Sequence, residues 1–383
     1  MHSPRGATLV TGATGFLGGL IAAKLLAEEP TRLVLPVRAR HTRDAVLTRL
    51  AAEIAATGAP ITSDLSNRVT IIPLPDAGEI PALAPALRDL GVTQIVHAAG
   101  CVDYFHTENL AKGNTDLTAG LVRLGQALRV ERFEFISTAF SSGYRDGVIR
   151  EAPHADAVED PTEYTRSKRD AERTVIASGL PWVIARPSVV IGDSRDGRYG
   201  GKAYGLYQLW KAAEKLMCVN YLTRVYAIAP RVPLHVLHQD AFQNGFLAAH
   251  RSLPPGRIFH LVSREATLPT VRDVWDTWLM TVSRPREVYY FDRLADVPME
   301  KLTRQQQMWV ELTSVNLDIS SRPWQFETTA LDGLRAAGLT FADATPDTIA
   351  VCQARFVADS ARVRTFLDKF QSERAAAPSV IEC

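Results

Sequence analysis

The sequence predicts an α/β fold, a doubly wound parallel sheet followed by a smaller and mostly helical C-terminal region. Three observations predict it. A short apolar strand, Ala7–Val10, runs into a glycine-rich turn, TGATGFLG at Thr11–Gly18, and then into a helix. Strand and helix patterns alternate as far as Val190, and beyond it helical spacing takes over.

The first strand-turn-helix unit is the most informative. Gly12 allows the tight turn, Gly15 lets backbone approach a phosphate, and Gly18 lets the helix that begins near Phe16 pack closely on the sheet. Unpaired N–H groups at the helix start then face the anion. A plain strand-to-helix turn is the competing reading, because glycine serves any turn. Arg32–Val37 follows as an apolar strand, and Asp44–Ala56 carries apolar residues at helical spacing. Further strands are predicted at Val69–Leu74, Gln94–His97, Phe133–Ser137 and Trp182–Ala185, with helices at Asp116–Leu128 and Pro161–Ala177 between them. Such alternation implies a Rossmann-like doubly wound parallel sheet covered on both faces.

Past Val190 come five glycines at 192, 197, 200, 201 and 205, a helix at Leu206–Met217, and short strands at Val225–Ile228, Val232–Leu237 and Ile258–Val262. The last hundred residues, with Trp275, Trp278, Trp309 and Trp324, read mostly as helices. The expected division is a nucleotide-binding domain of residues 1–192 and 224–262, a substrate-binding region of 193–223 and 263–373, and a poorly ordered tail of 374–383, small and polar with a proline.

Composition narrows the function. With 46% hydrophobic and 22% charged residues in 383, the chain can bury a sizeable core. Lys+Arg 43 against Asp+Glu 42 leaves no electrostatic pull toward nucleic acid. The longest apolar run, Phe16–Ala27, is broken by Lys24 and falls short of the ~20 residues a bilayer span needs. The apolar strand begins within a few residues of the start, which leaves no room for a secretory leader, so a cytoplasmic location is expected. Cys101, Cys218, Cys352 and Cys383 are scattered without the spacing of a zinc site or a redox pair, and free thiols are expected.

Two Tyr-x-x-x-Lys pairs occur, Tyr164 with Lys168 and Tyr207 with Lys211. Residues four apart share a helix face, so the lysine charge can lower the pKa of a phenol that is otherwise near ~10. Chain order favours Tyr164, whose helix follows the Phe133–Ser137 strand and therefore starts at the carboxyl edge of the sheet, where ligands bind in such folds. Tyr207 reads as an ordinary helix residue. Ser137 and Thr138 end that strand and could donate to a developing oxyanion, although serine and threonine also end strands for purely local reasons. The second strand ends in Val37-Arg38-Ala39-Arg40 with no acid before Asp44. A carboxylate there would suit NAD, whereas a cation suits a 2′-phosphate, so Arg38 is the candidate clamp for NADPH, with a solvated surface arginine as the competing reading.

Taken together, TGATGFLG at 11–18, HAAG at 97–100, STA at 137–139, YTRSK at 164–168 and RPSVVIGDSRDG at 186–197 resemble an extended short-chain dehydrogenase/reductase over roughly the first 265 residues. Within it, FISTAF, PVRAR and IGDSRDG most resemble the fatty acyl-CoA reductase and carrier-protein thioester reductase branch. The resemblance implies that Tyr164 donates the proton, that Lys168 lowers its pKa and anchors a ribose, and that Thr138 polarises the substrate carbonyl, with Ser137 as fallback. It implies cofactor-site roles for Thr11, Gly12, Thr14, Gly15, Phe16, Leu17, Gly18, Arg38, His97, Ala98, Ala99, Asn114, Lys168, Pro187 and Ser188, with Asn114 matching the family's structural asparagine. A satisfied core histidine is the alternative for His97. The family's Gly-Asp-Leu after the third strand is replaced by Pro73-Leu74-Pro75-Asp76, which leaves Asp76 as a substitute for the adenine contact. Cys101 reads as a small buried residue rather than a nucleophile.

The implied activity is NADPH-dependent reduction of an acyl thioester, on coenzyme A or an acyl carrier protein, to an aldehyde or onward to an alcohol. Alternatives are a reductase, dehydrogenase or epimerase acting on a sterol, flavonoid or nucleotide-sugar carbonyl, and a non-catalytic NADP-binding sensor or scaffold. Tyr204, Leu206, Tyr207, Leu209 and Trp210 favour an apolar group over a sugar.

Overall fold

The computed structural model describes residues 6–58, 65–102 and 108–383, so residues 1–5, 59–64 and 103–107 of the expected nucleotide-binding domain lie outside the described residues. In chain order the strands are β1 (Ala7–Thr11), β2 (Arg32–Val37), β3 (Val69–Pro73), β4 (Val92–His97), β5 (Arg132–Ile136), β6 (Val148–Ile149), β7 (Trp182–Pro187), β8 (Val189–Ile191), β9 (Arg224–Ile228), β10 (Val236–His238), β11 (Arg257–Leu261), β12 (Glu287–Phe291), β13 (Gln325–Phe326) and β14 (Ser379–Glu382). Two compact units result.

The first unit comprises Met1–Ser188, Phe242–Leu261 and Phe326–Phe341. Its seven-stranded sheet has the order β11-β7-β5-β4-β1-β2-β3, and its strand pairings are parallel. The chain winds outward from β1 to β3, then returns to start again at β4 on the other side. That reversal opens a crevice at the carboxyl ends of β1 and β4, the usual ligand position in such sheets. The core beneath it is built from strand residues such as Leu9, Ile95, Phe133, Phe135 and Ile184, packed on Leu121, Leu124 and Val175. Leu117, Leu121 and Leu124 fall on one face of the helix Leu117–Leu128 at helical spacing, which is why that face is buried.

The helix Glu163–Ile176 begins with a capping box between Thr162 and Thr165. Its buried face is unusual in carrying charge, since Lys168, Arg169 and Glu172 are 5%, 2% and 1% exposed beside Ala171 and Val175. Each charge has a partner. Arg169 makes two hydrogen bonds to Asp160, at 2.5 and 2.7 Å, and the other two are taken up below.

The second unit comprises Val189–Ala241, Val262–Gln325 and Ala342–Cys383, with Trp210, Trp275, Trp278, Val288, Tyr290, Trp309 and Phe366 in its core. This division corrects the expected one. Residues 224–241 fall with the second unit because β9 pairs in parallel with β12, a strand of sequence EVYYF within a segment whose pattern is otherwise helical. Residues 326–341 join the first unit, where the helix Thr329–Ala336 packs on β11. The expected loose tail contains β14, which pairs with β12, and Glu382 forms a bidentate ion pair with buried Arg272 at 2.6 and 2.7 Å.

Candidate active site

The crevice is lined first by the turn after β1. Gly12 has φ +77, and a Cβ there would lie 2.7 Å from the Ala99 nitrogen and 2.8 Å from the Ala98 carbonyl, so only glycine lets β1 and β4 end side by side. At Gly18 a Cβ would come within 2.3 Å of the Gly12 oxygen. The helix Phe16–Glu28 starts at Gly15 without a side-chain cap and without an acid in its first turn, an electrostatic setting that suits an anion. Thr14, Phe16 and Leu17 are half-buried around this opening, and Gly15 is exposed.

Arg49, on the helix Arg43–Ala56, donates to the carbonyl oxygens of Thr14 and Gly15, the latter at 3.0 Å. It thereby holds the carbonyls of the turn to one side, and the sequence offered no signal for it beyond its charge. Arg38 and Arg40 stand exposed just after β2. Asp76 is exposed and lies 3.6 Å from Lys112.

His97 is 0% exposed, with Nδ1 2.9 Å from Thr11 Oγ1 and Nε2 2.9 Å from Thr118 Oγ1. Its tautomer follows from the partners. Thr118 donates its single hydroxyl proton to the Asn114 carbonyl at 2.6 Å, so it must accept from His97 Nε2–H. Thr11 accepts from the Ala99 N–H at 3.2 Å and donates to Nδ1. Burial, and then the charge of Lys168, hold the imidazole pKa well below the usual value, which keeps it neutral. Both nitrogens of the His97 ring are therefore spent on scaffold hydroxyls. Half-buried Ala98 and Ala99 extend β4 to the crevice.

Asn114 sits in a π-helical turn, Ala111–Asp116, and is 2% exposed. Its Oδ1 accepts the Cys101 N–H at 2.8 Å, and its Nδ2 donates to the Cys101 carbonyl at 3.1 Å and to Ser167 Oγ at 2.9 Å. Ser167 in turn donates to the Tyr164 carbonyl at 2.7 Å. One chain of hydrogen bonds therefore runs from the glycine turn, through His97 and Asn114, to the helix that carries Tyr164 and Lys168.

Lys168 Nζ donates to the Ile136 carbonyl at 2.7 Å and lies 4.4 Å from the centre of the Phe135 ring. Burial lowers its pKa to about 8, with the Glu172 carboxylate opposing the shift. Gly100 leaves space beside it, since a Cβ there would stand 3.6 Å from Nζ and 3.0 Å from Asn114 Oδ1. Tyr164 is half-buried in the first turn of the same helix. At the end of β5 the two hydroxyls part company. Ser137 donates to buried Glu172, while Thr138 caps the short helical turn Ala139–Ser142, accepting from the Phe140 N–H at 3.4 Å. Ser137 is thus engaged by the Glu172 carboxylate, whereas Thr138 Oγ1 serves as an acceptor for a backbone N–H.

Pro187 ends β7, and buried Ser188 Oγ has no hydrogen-bond partner among the described residues. The residues fit a dinucleotide on three counts: the cradle at Gly12 that a Cβ would fill, the uncapped helix start, and this orphaned hydroxyl at the sheet edge. The rival pair behaves otherwise. Tyr207 stacks on Tyr199 at 3.7 Å in the second unit, burial raises its phenol pKa, and Lys211 pairs with Glu214, so it lacks the features of a proton donor.

Among known proteins, a linear gramicidin synthase of Brevibacillus parabrevis is 29% identical over 211 residues, half of this chain. The match spans 4% of that protein's length. The terminal R domain from the myxalamid PKS-NRPS biosynthetic pathway has a similar fold, with TM-score 0.72 and 19% identity over 96% of this chain and 93% of that one. So does a thiolation-reductase di-domain from an archaeal non-ribosomal peptide synthetase, with TM-score 0.66 and 20% identity over 96% of this chain and 76% of that one. The NAD-binding family described as Male sterility protein matches residues 10–239. With that match covering more than half of the sequence, the chain belongs to this family of extended short-chain dehydrogenase/reductases and is an NAD(P)-dependent oxidoreductase.

Proposed function

We propose that the protein uses NADPH to reduce an acyl thioester, carried on coenzyme A or on a carrier protein, to an aldehyde. The observation that carries the reading is Lys168, buried at the strand edge one residue from Ser137-Thr138 through its bond to Ile136 and on one helix face with Tyr164. The likeness to a peptide synthetase and to reductase domains supports a tethered thioester over a free sugar or sterol.

The bound nicotinamide would supply the hydride. Thr138 and Tyr164 hydrogen-bond the carbonyl oxygen as negative charge develops on it, and Tyr164 passes its proton to that oxygen. Lys168, with its pKa near 8, is mostly an ammonium at neutral pH and keeps the phenolate within reach. The resulting hemithioacetal loses its thiol: the C–S bond breaks, the hydroxyl proton goes to sulfur, and the aldehyde carbonyl forms. Arg38, exposed after β2, would take the 2′-phosphate.

The test is loss of nicotinamide absorbance with a panel of acyl-CoA thioesters and NADPH or NADH, with released thiol measured in parallel. One NADPH per thiol supports the aldehyde, and two support the alcohol. Turnover of a ketone or secondary alcohol with no thioester consumed overturns the substrate class, and full function in Tyr164→Phe would favour the non-catalytic binder.

A further inference from the structure

One carboxylate lies under the site and takes no part in the chemistry above. Glu172 is 1% exposed and accepts four hydrogen bonds: from Ser137 Oγ, from Ser141 Oγ at 2.9 Å, from Arg186 Nε at 3.0 Å and from Arg186 Nη2 at 2.6 Å. Arg186, 0% exposed near the end of β7, is completed by the carbonyls of Arg150 at 3.2 Å and Ala152 at 3.0 Å. Ser137 and Ser141 flank Thr138 and the short turn it caps. One helical turn before Glu172, Lys168 holds the carbonyl of Ile136, the next residue back along the same strand. Two side chains on one helix face thus grip residues 136, 137 and 141.

Stability does not account for this arrangement. A buried ion pair costs desolvation, and well-packed apolar residues of similar volume are often as good or better. What a charged, four-donor acceptor provides is direction, since it fixes the two serine hydroxyls and the guanidinium in a single geometry. We propose that Glu172 is a positioning residue, which fixes the Ser137–Ser141 segment bearing Thr138 and sets its carboxylate one turn from the Lys168 ammonium. The inference rests on the reading of Thr138 and Lys168 as reaction residues.

The ionisable groups facing this carboxylate are Lys168 on its own helix, Arg186 on β7 and His260 on β11, with His154 beyond Arg186, while His97 on β4 faces Lys168. Burial holds His154 and His260 neutral, at about 2 and about 4, and His97 is also low. Near neutral pH, Lys168 is therefore the group in this set that titrates.

Two variants and one measurement free of turnover test the idea. Glu172→Gln keeps the acceptor oxygen and removes the charge, and Ser137→Ala/Ser141→Ala keeps the ion pair and releases the strand end. With lysine labelled at 13Cε and the Lys168 signal assigned by its loss in Lys168→Met, Glu172→Gln should lower the Lys168 titration midpoint by about one pH unit. In the wild-type assay, whichever carbonyl substrate is consumed, the double serine variant should lose about tenfold or more in kcat, with NADPH affinity and thermal midpoint within a narrow margin of wild type. An unmoved Lys168 midpoint in a folded Glu172→Gln protein overturns the proposal. So does a serine variant whose kcat equals wild type, or whose kcat falls only in step with NADPH affinity and thermal midpoint. Should Glu172→Gln fail to fold, the serine variant decides. A wild type that reduces ketones but no thioester refutes the substrate reading and leaves these readouts in force.

Discussion

In the proposed mechanism Lys168 sets the pH range of the site. Its pKa is lowered to about 8 by burial, against the pull of Glu172, so the ammonium is present at neutral pH and lost as pH rises through that value. The kcat/KM profile should therefore fall on its alkaline side with an apparent pKa near 8, and Lys168→Met should remove the limb together with most of the activity. A profile flat to well above that value would remove Lys168 from the mechanism. The lysine and its tyrosine were legible because spacing of four places both on one helix face. Glu172 continues that spacing and was equally visible, but periodicity alone does not say that a charged residue is buried. His97 was legible as a choice between two readings, and only the positions of Thr11 and Thr118 decide between them.

At the scale of elements, β5 and the helix Gln239–Ser252 are joined by a buried charge cluster. Glu134 Oε2 lies 2.7 Å from His250 Nδ1, and Glu134 Oε1 accepts from Arg132 at 2.9 Å. Arg132 also takes the carbonyls of Ala249 at 2.9 Å and Leu253 at 2.8 Å at the end of that helix. Burial favours neutral His250, but the Glu134 charge outweighs it and raises its pKa. Burial likewise favours neutral Glu134, and His250 and Arg132 together hold its pKa down. The sign follows from linkage. The His250 contribution is complete below 6.5 and is lost as pH rises through the raised folded value, while the Glu134 contribution is complete above 4.5 and is lost as pH falls through the lowered one. Removing the imidazole with His250→Ala should cost about 1–3 kcal/mol between those limits and progressively less on the alkaline side, as read from urea unfolding at several pH values. Equal losses at acid and alkaline pH would refute the assignment.

For the whole molecule, the strands of the first unit were legible because apolar runs bounded by turns alternate with helical spacing. The second unit is less legible. EVYYF at β12 and SVIE at β14 are short, lie among helices, and gain their identity from pairing with each other and with β9. The end of the chain gives a check. Arg272 is 3% exposed, stacks 3.6 Å from the Tyr290 ring and has Glu382 as its carboxylate partner. A chain ending at Pro378 would leave that guanidinium buried without its anion and β12 paired on one side only, with β9, so its thermal midpoint should drop by several degrees. Glu382→Gln should recover part of the difference by keeping the strand. An unchanged midpoint on truncation would mean that β14 contributes nothing to the fold.

The neutral imidazole of His97 has a spectroscopic consequence. Its Nε2 proton is bonded to Thr118 at 0% exposure, so it should exchange slowly with solvent and give a resolved signal downfield of the backbone amides. The sharpness of that one resonance would record, without substrate or turnover, how often the contact between β4 and the helix Leu117–Leu128 opens.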